Sequence, residues 1–199
     1  MADTLTTLKT RRSCRAYKPE HVEDEKLYLI MEAGTYAATG LGKQSPIIIA
    51  VKDQEIRNKL AKINAAAMGM EIDPFYGAPE LLVVLANKDI PTYIYDGSLV
   101  MGNMMNAAAD LGVASCWVHR AKEEFESEEG KEILKKLGIE GNYEGIGNLI
   151  LGYAAKPAGE AAPRKADYIF KNLRKDKNVP CHWSGVLPPV AGKFSFYRL

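Results

Sequence analysis

Apolar positions along the chain follow two spacings, one typical of helices and the other of buried strands. Helical spacing predicts helices at residues 4–10, where Leu5 and Leu8 share one face, at residues 24–37 and at residues 127–137. Short aliphatic runs, rich in β-branched residues, predict four strands. These strands cover residues 46–51, 81–86, 113–119 and 146–154.

A further helix is predicted to begin after Asp53, whose carboxylate suits the N-cap position. Asn64 lies on the polar side of this helix, where most asparagines only contact water. An amide can also donate to and accept from the edge of a pyrimidine-like ring. The apolar stripe of the helix consists of Ile56, Leu60, Ile63 and Ala67.

Residues 96–111 form the most informative predicted helix, because apolar residues cover most of its circumference. Such a helix must be buried on most sides, and in a chain this short a subunit interface is one way to bury it. Met101 and Met105 are predicted to lie in that interface. The narrow polar stripe consists of Asn103, Asn106 and Asp110.

Helix and strand signals alternate along the chain, an order that also occurs in parallel doubly wound sheets. The sequence has no GxGxxG motif after a strand and no P-loop. The pattern alone therefore predicts a mixed α/β class and favours a parallel sheet.

Charge and cysteine usage narrow the function classes. The 26 Lys plus Arg residues balance 25 Asp plus Glu residues, giving a net charge of +1, which argues against nucleic acid or an anionic membrane as partner. We find no apolar run of membrane-spanning length and no secretory signal. The three cysteines lack disulfide or zinc-site spacing. We therefore expect a cytoplasmic protein without a metal site.

A short cationic cluster that includes a hydroxyl is formed by Arg11, Arg12, Ser13 and Arg15. In an extended segment the side chains of Arg11, Ser13 and Arg15 would point the same way. Guanidinium groups bind phosphate through paired, charge-assisted hydrogen bonds. The cluster is therefore a candidate phosphate site, although most such runs are simply solvated charges.

Other candidate residues give weaker signals one at a time. Gly40 and Gly42 would let the backbone approach a flat ligand closely. Cys116 and His119 would face opposite sides of a strand, which disfavours a nucleophile–base pair. We find no carboxylate pair, HExxH or GxSxG motif, so hydrolase chemistry has little support.

Five segments, in order, resemble motifs of the FMN-dependent nitroreductase family. Each motif is loose, and it is their shared order, over about residues 5 to 173, that makes the resemblance specific. The segments are RRSCRAY, AATGLGKQSP, FYGAPELLVVLA, DGSLVMGNMMNAAADLGVASCWVH and GIGNLILGYAAKPAGEAAPRK.

The resemblance implies an α+β fold, a nitroreductase-like sandwich with a mainly antiparallel central sheet flanked by helices. It also implies an intertwined homodimer with FMN sites between the subunits. Residues 1–174 would form a single FMN-binding domain, and residues 175–199 a C-terminal extension without an assigned role.

The resemblance further implies which residues bind FMN. The Arg11–Arg15 cluster, including Arg12, together with Arg164 and Lys165, matches positions around the phosphate and the ring edge. Asn64 matches the position that binds the flavin pyrimidine. The remaining positions are Ala38, Thr39, Gly40, Gly42 and Gln44 in a loop from the other subunit, and Trp117, Val118 and His119 near flavin N5.

The chain departs from the family pattern at several of these positions. Gly42 stands where many members carry Asn, and Ala38 stands where Pro is frequent. His119 and Arg120 occupy positions that are often acidic or glycine, so we expect an altered pocket beside N5.

The implied activity is reduction of nitroaromatic, quinone or similar conjugated acceptors with NADH or NADPH, by ping-pong hydride transfer. FMN would carry the chemistry, so we assign no catalytic side chain. Three alternatives remain open. They are another flavin-dependent activity on the same fold, such as a reductive dehalogenase, a flavin-destroying enzyme or a dehydrogenase; a non-enzymatic flavin-binding protein; and a plain nucleotide- or phosphate-binding module.

Overall fold

One antiparallel sheet lies at the centre of the residues described by the computed structural model, which are 3–165 and 167–170. The strand order is β1-β2-β4-β3, and every neighbouring pair is antiparallel. The parallel sheet favoured by the pattern is wrong, because a helix between two strands does not fix their relative direction. The antiparallel sheet implied by the resemblance is confirmed. The strands are β1 (Pro46–Val51), β2 (Glu80–Asn87), β3 (Ala114–Val118) and β4 (Tyr143–Gly152).

Six α-helices accompany this sheet within the described residues. The helices predicted at residues 4–10, 24–37 and 127–137 and after Asp53 are present with closely similar bounds. Asp53 caps its helix as expected, because its carboxylate accepts from the N–H groups of Glu55 and Ile56. The helices are α1 (Thr4–Thr10), α2 (Asp24–Thr35), α3 (Gln54–Ala67), α4 (Tyr93–Asp110), α5 (Ala121–Glu126) and α6 (Glu128–Lys136).

Helices cover both faces of the sheet. Leu82 and Val84 of β2 pack in a cluster with α2 and α4, whereas Leu81 and Val83 pack in a second cluster with α3, α5 and α6. Neighbouring residues of a strand point to opposite faces, so both sets are buried and β2 is a continuous apolar run. The result is the α+β sandwich that the resemblance implied.

Helix α4 lies in one of these cores. It begins three residues earlier than predicted, at Tyr93. Met101 is fully buried within the single chain, so the prediction that it lies between subunits is wrong. The apolar arc of α4 is wide enough to turn both Val100 and Met101 toward the core. Met105 is partly buried and packs against the same cluster.

Helix α5 is absent from the pattern-based prediction, because four of its six residues are charged in the sequence AKEEFE. Two glycines let it pack backbone to backbone. A Cβ at Gly145 would lie 2.1 Å from the carbonyl oxygen of Ala121, and a Cβ at Gly130 would lie 2.1 Å from that of Glu124. Close contact with β4 and α6 therefore fixes the position of α5.

The chain divides into two compact units, the first ending at Glu160 and the second beginning at Ala161. The predicted domain boundary after residue 174 and the C-terminal extension lie outside the described residues. Among the helices that the structure describes, none combines the length and apolar character needed to cross a membrane.

Candidate functional site

The Arg11–Arg15 segment runs beside β3 in an extended conformation. Ser13 forms a parallel bridge with Ser115, and the N–H of Cys14 donates to the Ser115 carbonyl over 3.0 Å. These contacts fix the backbone of the segment along the edge of the sheet, and they leave the side chains of Ser13 and Arg15 exposed.

Two guanidinium nitrogens in this segment find no acceptor within residues 3–165 and 167–170. Nη1 of Arg11 and Nε of Arg12 are buried and have no hydrogen-bond partner among the described residues. Nη1 of Arg12 donates to the Arg11 carbonyl over 2.5 Å. Buried cationic donors without an acceptor carry a desolvation cost. A phosphate group, whose oxygens accept several hydrogen bonds, is the kind of acceptor that guanidinium and hydroxyl groups of this segment can bind.

The glycine loop, residues 38–44, is held by a buried carboxylate. The N–H of Gly40 donates to Oδ1 of Asp96 over 2.9 Å, and the Ser45 hydroxyl donates to Oδ2 over 2.8 Å. The Thr92 hydroxyl also donates to Oδ2, over 3.1 Å. Sequence reasoning missed Asp96, because an acidic residue in the first turn of a helix is usually explained by the helix dipole.

The glycine loop itself is tightly turned. Leu41, Gly42 and Gln44 all have positive φ angles, of 53°, 67° and 48°. Left-handed backbone is uncommon for residues other than glycine, so this shape needs support from its surroundings. Ala38 and Gln44 are exposed, and Thr39 is partly buried. The loop therefore presents polar and backbone groups outward from a fixed base.

The Arg11–Arg15 segment and the glycine loop lie at opposite corners of the sheet. The loop leads into the edge strand β1, whereas the segment lies outside the opposite edge strand β3. Four strand spacings separate them, about 19 Å. They also differ along the strands, since Ser115 is level with Glu80 at one end of β2 and Pro46 is level with Ala86 at the other. A single chain therefore does not bring these two predicted parts of the site together.

Asn64 lies in the interior and not on the polar side of α3. Its Nδ2 donates to the carbonyl of His119 over 2.7 Å and to Oε1 of Glu124 over 2.5 Å. The apolar stripe predicted for α3 was wrong in part. The inner face of this helix also contains polar residues, whose partners are buried in the protein. That face consists of Arg57, Leu60, Ala61, Asn64 and Ala65.

Sequence reasoning also missed Glu124, which is fully buried and accepts from both Asn64 and Asn148. Burial raises the pKa of Glu124 to about 8, against the two amide hydrogen bonds, which lower it. No motif marks this glutamate, since its neighbours in α5 are also acidic.

The end of β3 combines a packed indole with exposed polar groups. Trp117 is partly buried, and a Cβ at Gly147 would lie 2.2 Å from its Nε1, so only glycine fits under the ring. Val118 is partly buried and His119 is exposed. Cys116 is buried, as is usual for a cysteine that packs as a core residue.

Arg164 and Lys165 belong to the second compact unit and are exposed. Nη2 of Arg164 donates to the carbonyl of Ala162 over 2.7 Å, and Nζ of Lys165 lies 5.4 Å from the ring centroid of Tyr168. Their proposed contact with a phosphate stays a prediction.

Comparison with known proteins gives consistent results. The model of the nitroreductase family matches residues 8–72. A protein of Archaeoglobus fulgidus, provisionally named NADH dehydrogenase/NAD(P)H nitroreductase, is 29% identical over 158 residues, which cover 77% of this chain and 86% of that protein. A nitroreductase structure from Bacteroides fragilis with bound FMN matches with a TM-score of 0.78 and 27% identity, covering 87% of this chain and 100% of that one. The chain is therefore similar in sequence to the nitroreductase family over part of its length and shares the fold of these FMN-bound nitroreductases.

A second nitroreductase structure, from Desulfitobacterium hafniense and also with bound FMN, has a TM-score of 0.76 and 27% identity, and covers 86% of this chain and 100% of that one. The nitroreductase fold thus spans both solved proteins completely. The family match at residues 8–72 contains the Arg11–Arg15 segment, the glycine loop and Asn64. The end of β3 and the Arg164–Lys165 pair lie beyond it.

Proposed function

We propose that this protein is an FMN-dependent oxidoreductase that uses NADH or NADPH to reduce nitroaromatic, quinone or similar conjugated acceptors. The observation that carries the proposal is the pair of buried guanidinium nitrogens on Arg11 and Arg12 that have no hydrogen-bond partner in the described part of the chain, next to exposed Ser13 and Arg15. This arrangement suits the phosphate monoester of FMN. The FMN bound in the two solved nitroreductases supports the same assignment.

The proposed FMN site draws on several parts of the fold. Arg11, Arg12, Ser13 and Arg15 would bind the phosphate. The end of β3, from Trp117 through Val118 to His119, would lie along the ring near N5. The glycine loop of a second subunit would close the site with Ala38, Thr39, Gly40, Gly42 and Gln44.

A homodimer is part of this proposal. Because the glycine loop and the Arg11–Arg15 segment lie at opposite corners of one chain, a second copy is needed to bring a loop to each segment. The chain also exposes large apolar side chains on helices that pack together, as expected for an interface. They are Tyr28 and Leu29 on α2 and Ile94, Tyr95 and Leu99 on α4.

FMN, when bound, would supply the hydride chemistry that no amino-acid side chain provides. The protein would hold the phosphate, align the ring and leave room for one planar molecule at a time. NAD(P)H would therefore have to leave before the oxidant binds, which gives ping-pong kinetics. The electron donor is suggested by the names of relatives such as the Archaeoglobus fulgidus protein. We assign no side chain as a catalytic acid or base.

A reducing, cytoplasmic location is also part of the proposal. Cys14 and Cys116, the two cysteines within the described residues, are both free thiols. Cys181 lies outside those residues. Free thiols are usual in reducing compartments.

The test is the visible spectrum of the purified protein after FMN is supplied, before and after anaerobic addition of NADH or NADPH. We expect flavin absorption bands that bleach on addition and return when a quinone is added. Bands that persist with both nucleotides would contradict the oxidoreductase and favour a flavin-binding protein. A protein that takes up no FMN would contradict the proposed site.

A further inference from the structure

A buried carboxyl group joins three elements on one side of the sheet. Oε1 of Glu124, on α5, accepts a hydrogen bond from Nδ2 of Asn64 on α3 over 2.5 Å and from Nδ2 of Asn148 on β4 over 2.8 Å. All three side chains are fully buried. This polar trio is closed off from solvent, so its hydrogen bonds must be made inside the protein.

Asn64 extends the network to the end of β3. Its Nδ2 also donates to the carbonyl of His119 over 2.7 Å. Both hydrogens of the amide are then engaged inside the protein, since the other bonds Glu124. Asn64 therefore has no amide hydrogen left for a ligand, and it acts on the backbone at His119.

The next residue, Arg120, has left-handed backbone with φ at 76°. This conformation is uncommon for a residue with a Cβ and persists where surrounding contacts hold it. Two hydrogen bonds do so here. Asn64 fixes the His119 carbonyl, and the N–H of Glu124 donates to the Arg120 carbonyl over 3.1 Å.

Helix α5, which carries Glu124, cannot shift easily. Gly145 and Gly130 bring the backbone of their elements against Ala121 and Glu124, closer than any side chain would allow. Helix α5 is therefore set by backbone contacts, and Glu124 holds Asn64 from a fixed position.

The polar trio is an unfavourable way to stabilise a core. Oε2 of Glu124, Oδ1 of Asn64 and Oδ1 of Asn148 are buried and have no hydrogen-bond partner within the described residues. Unpartnered buried oxygens cost free energy that apolar side chains of similar size would avoid. A role other than stability would explain why such groups stand here.

We propose that Asn64, oriented by Glu124, is a positioning residue that fixes the His119–Arg120 turn and so sets how tightly a planar heteroaromatic ring binds beside the end of β3. This rests on the proposed function, which places the flavin ring there. Asn64 thus takes a different part from the direct pyrimidine contact that the resemblance implied.

The test compares Asn64→Leu with Asn148→Leu as a matched control. Both remove one amide that bonds Glu124, but only the first frees the His119 carbonyl. Riboflavin and FMN are titrated against each apoprotein by flavin fluorescence. We expect Asn64→Leu to weaken both ligands about tenfold, the effect of one lost hydrogen bond. The Kd values of Asn148→Leu for both ligands should stay within about twofold of those of the parent.

A second measurement needs no flavin. Hydrogen exchange of the backbone amides at residues 119–121 should be faster in the Asn64→Leu apoprotein and unchanged in Asn148→Leu. If the parent protein binds no flavin, the proposed function fails, and the exchange rates still test whether Asn64 holds the turn. Asn64→Ser, whose hydroxyl is too short to reach His119, replaces the leucine variant if that variant does not fold.

Two outcomes would overturn the proposal. Equal loss of riboflavin affinity in the Asn64 and Asn148 variants would show general damage to the core. Unchanged affinity and exchange in the Asn64 variant would show that the turn holds its shape without the amide.

Discussion

The backbone N–H of Gly40 donates a hydrogen bond to the buried carboxylate of Asp96, over 2.9 Å. That carboxylate also accepts from the hydroxyls of Ser45 and Thr92, so one side chain fastens the whole base of the glycine loop to α4. The loop carries left-handed residues, and we expect its shape to depend on this attachment.

Replacing Asp96 with Ala should therefore destabilise the protein. It leaves the Gly40 N–H and two hydroxyls without their acceptor, and we expect the free energy of unfolding to fall by about 3 kcal/mol. Urea denaturation measures this change. Glu140→Ala, at an exposed acidic residue, is the control and should change stability by less than about 0.5 kcal/mol. Equal stability of the Asp96→Ala protein and the parent would show that the loop is held by other contacts.

Arg11→Ala should weaken FMN but not riboflavin. The guanidinium group is proposed to bind the phosphate, which riboflavin lacks, so only FMN loses a charge-assisted hydrogen bond. We expect the Kd for FMN to rise about tenfold or more, measured by fluorescence titration. Arg11→Lys keeps the positive charge but lacks the planar guanidinium group. Its Kd for FMN should therefore lie between those of the parent and Arg11→Ala. If the affinity for riboflavin fell as much as that for FMN, Arg11 would instead contact the flavin ring or support the fold.

Leu99→Glu should separate the subunits. Leu99 is 49% exposed in the single chain, so the folded protomer has room for a carboxylate. In the proposed dimer the same charge would be buried without a partner, at a cost of several kcal/mol. Sedimentation velocity should show a monomer with native circular dichroism. Leu137→Glu, at an exposed residue after α6, is the control and should remain dimeric. If the Leu99→Glu protein is still a dimer, the interface does not include Leu99.

Glu124 should make stability depend on pH. Burial raises the pKa of Glu124 to about 8, and the nearby Glu123 adds repulsion, whereas in the unfolded chain the pKa is near 4.5. Between these values the native state binds the extra proton, so its contribution to stability is complete below about pH 4.5 and is lost as the pH rises through about 8. Unfolding free energies of the parent and Glu124→Gln should diverge over this range, with the parent relatively weaker at pH 9. A constant difference would mean that Glu124 titrates normally.

The strands and longer helices could be predicted because their apolar residues repeat with clear periods. Strand β1 has the predicted bounds, and β2 differs from its prediction by one residue at each end. The inner face of α3 was harder to predict from sequence, because Arg57 and Asn64 are buried and have polar partners. Arg57, for example, pairs with Asp73 over 2.7 Å. A pattern that counts only apolar residues assigns such positions to solvent.

The candidate site was likewise predictable from sequence only in part. The cationic segment was visible in sequence, because four informative residues lie within five positions. Asp96 and Glu124 were not visible, because each has a partner far away along the chain: Ser45 is 51 residues from Asp96, and Asn64 is 60 residues from Glu124. Helix α5 was missed for a related reason, since its position depends on two distant glycines and not on its own apolar residues.

The placement of the Arg11–Arg15 segment and the glycine loop at opposite corners of one chain has a genetic consequence. In the proposed dimer each site takes the segment from one subunit and the loop from the other. A hybrid of an Arg11→Ala subunit and an Asp96→Ala subunit would then collect both defects in one site and leave the other intact. Two alleles that each impair the FMN site could therefore restore activity when they are expressed together.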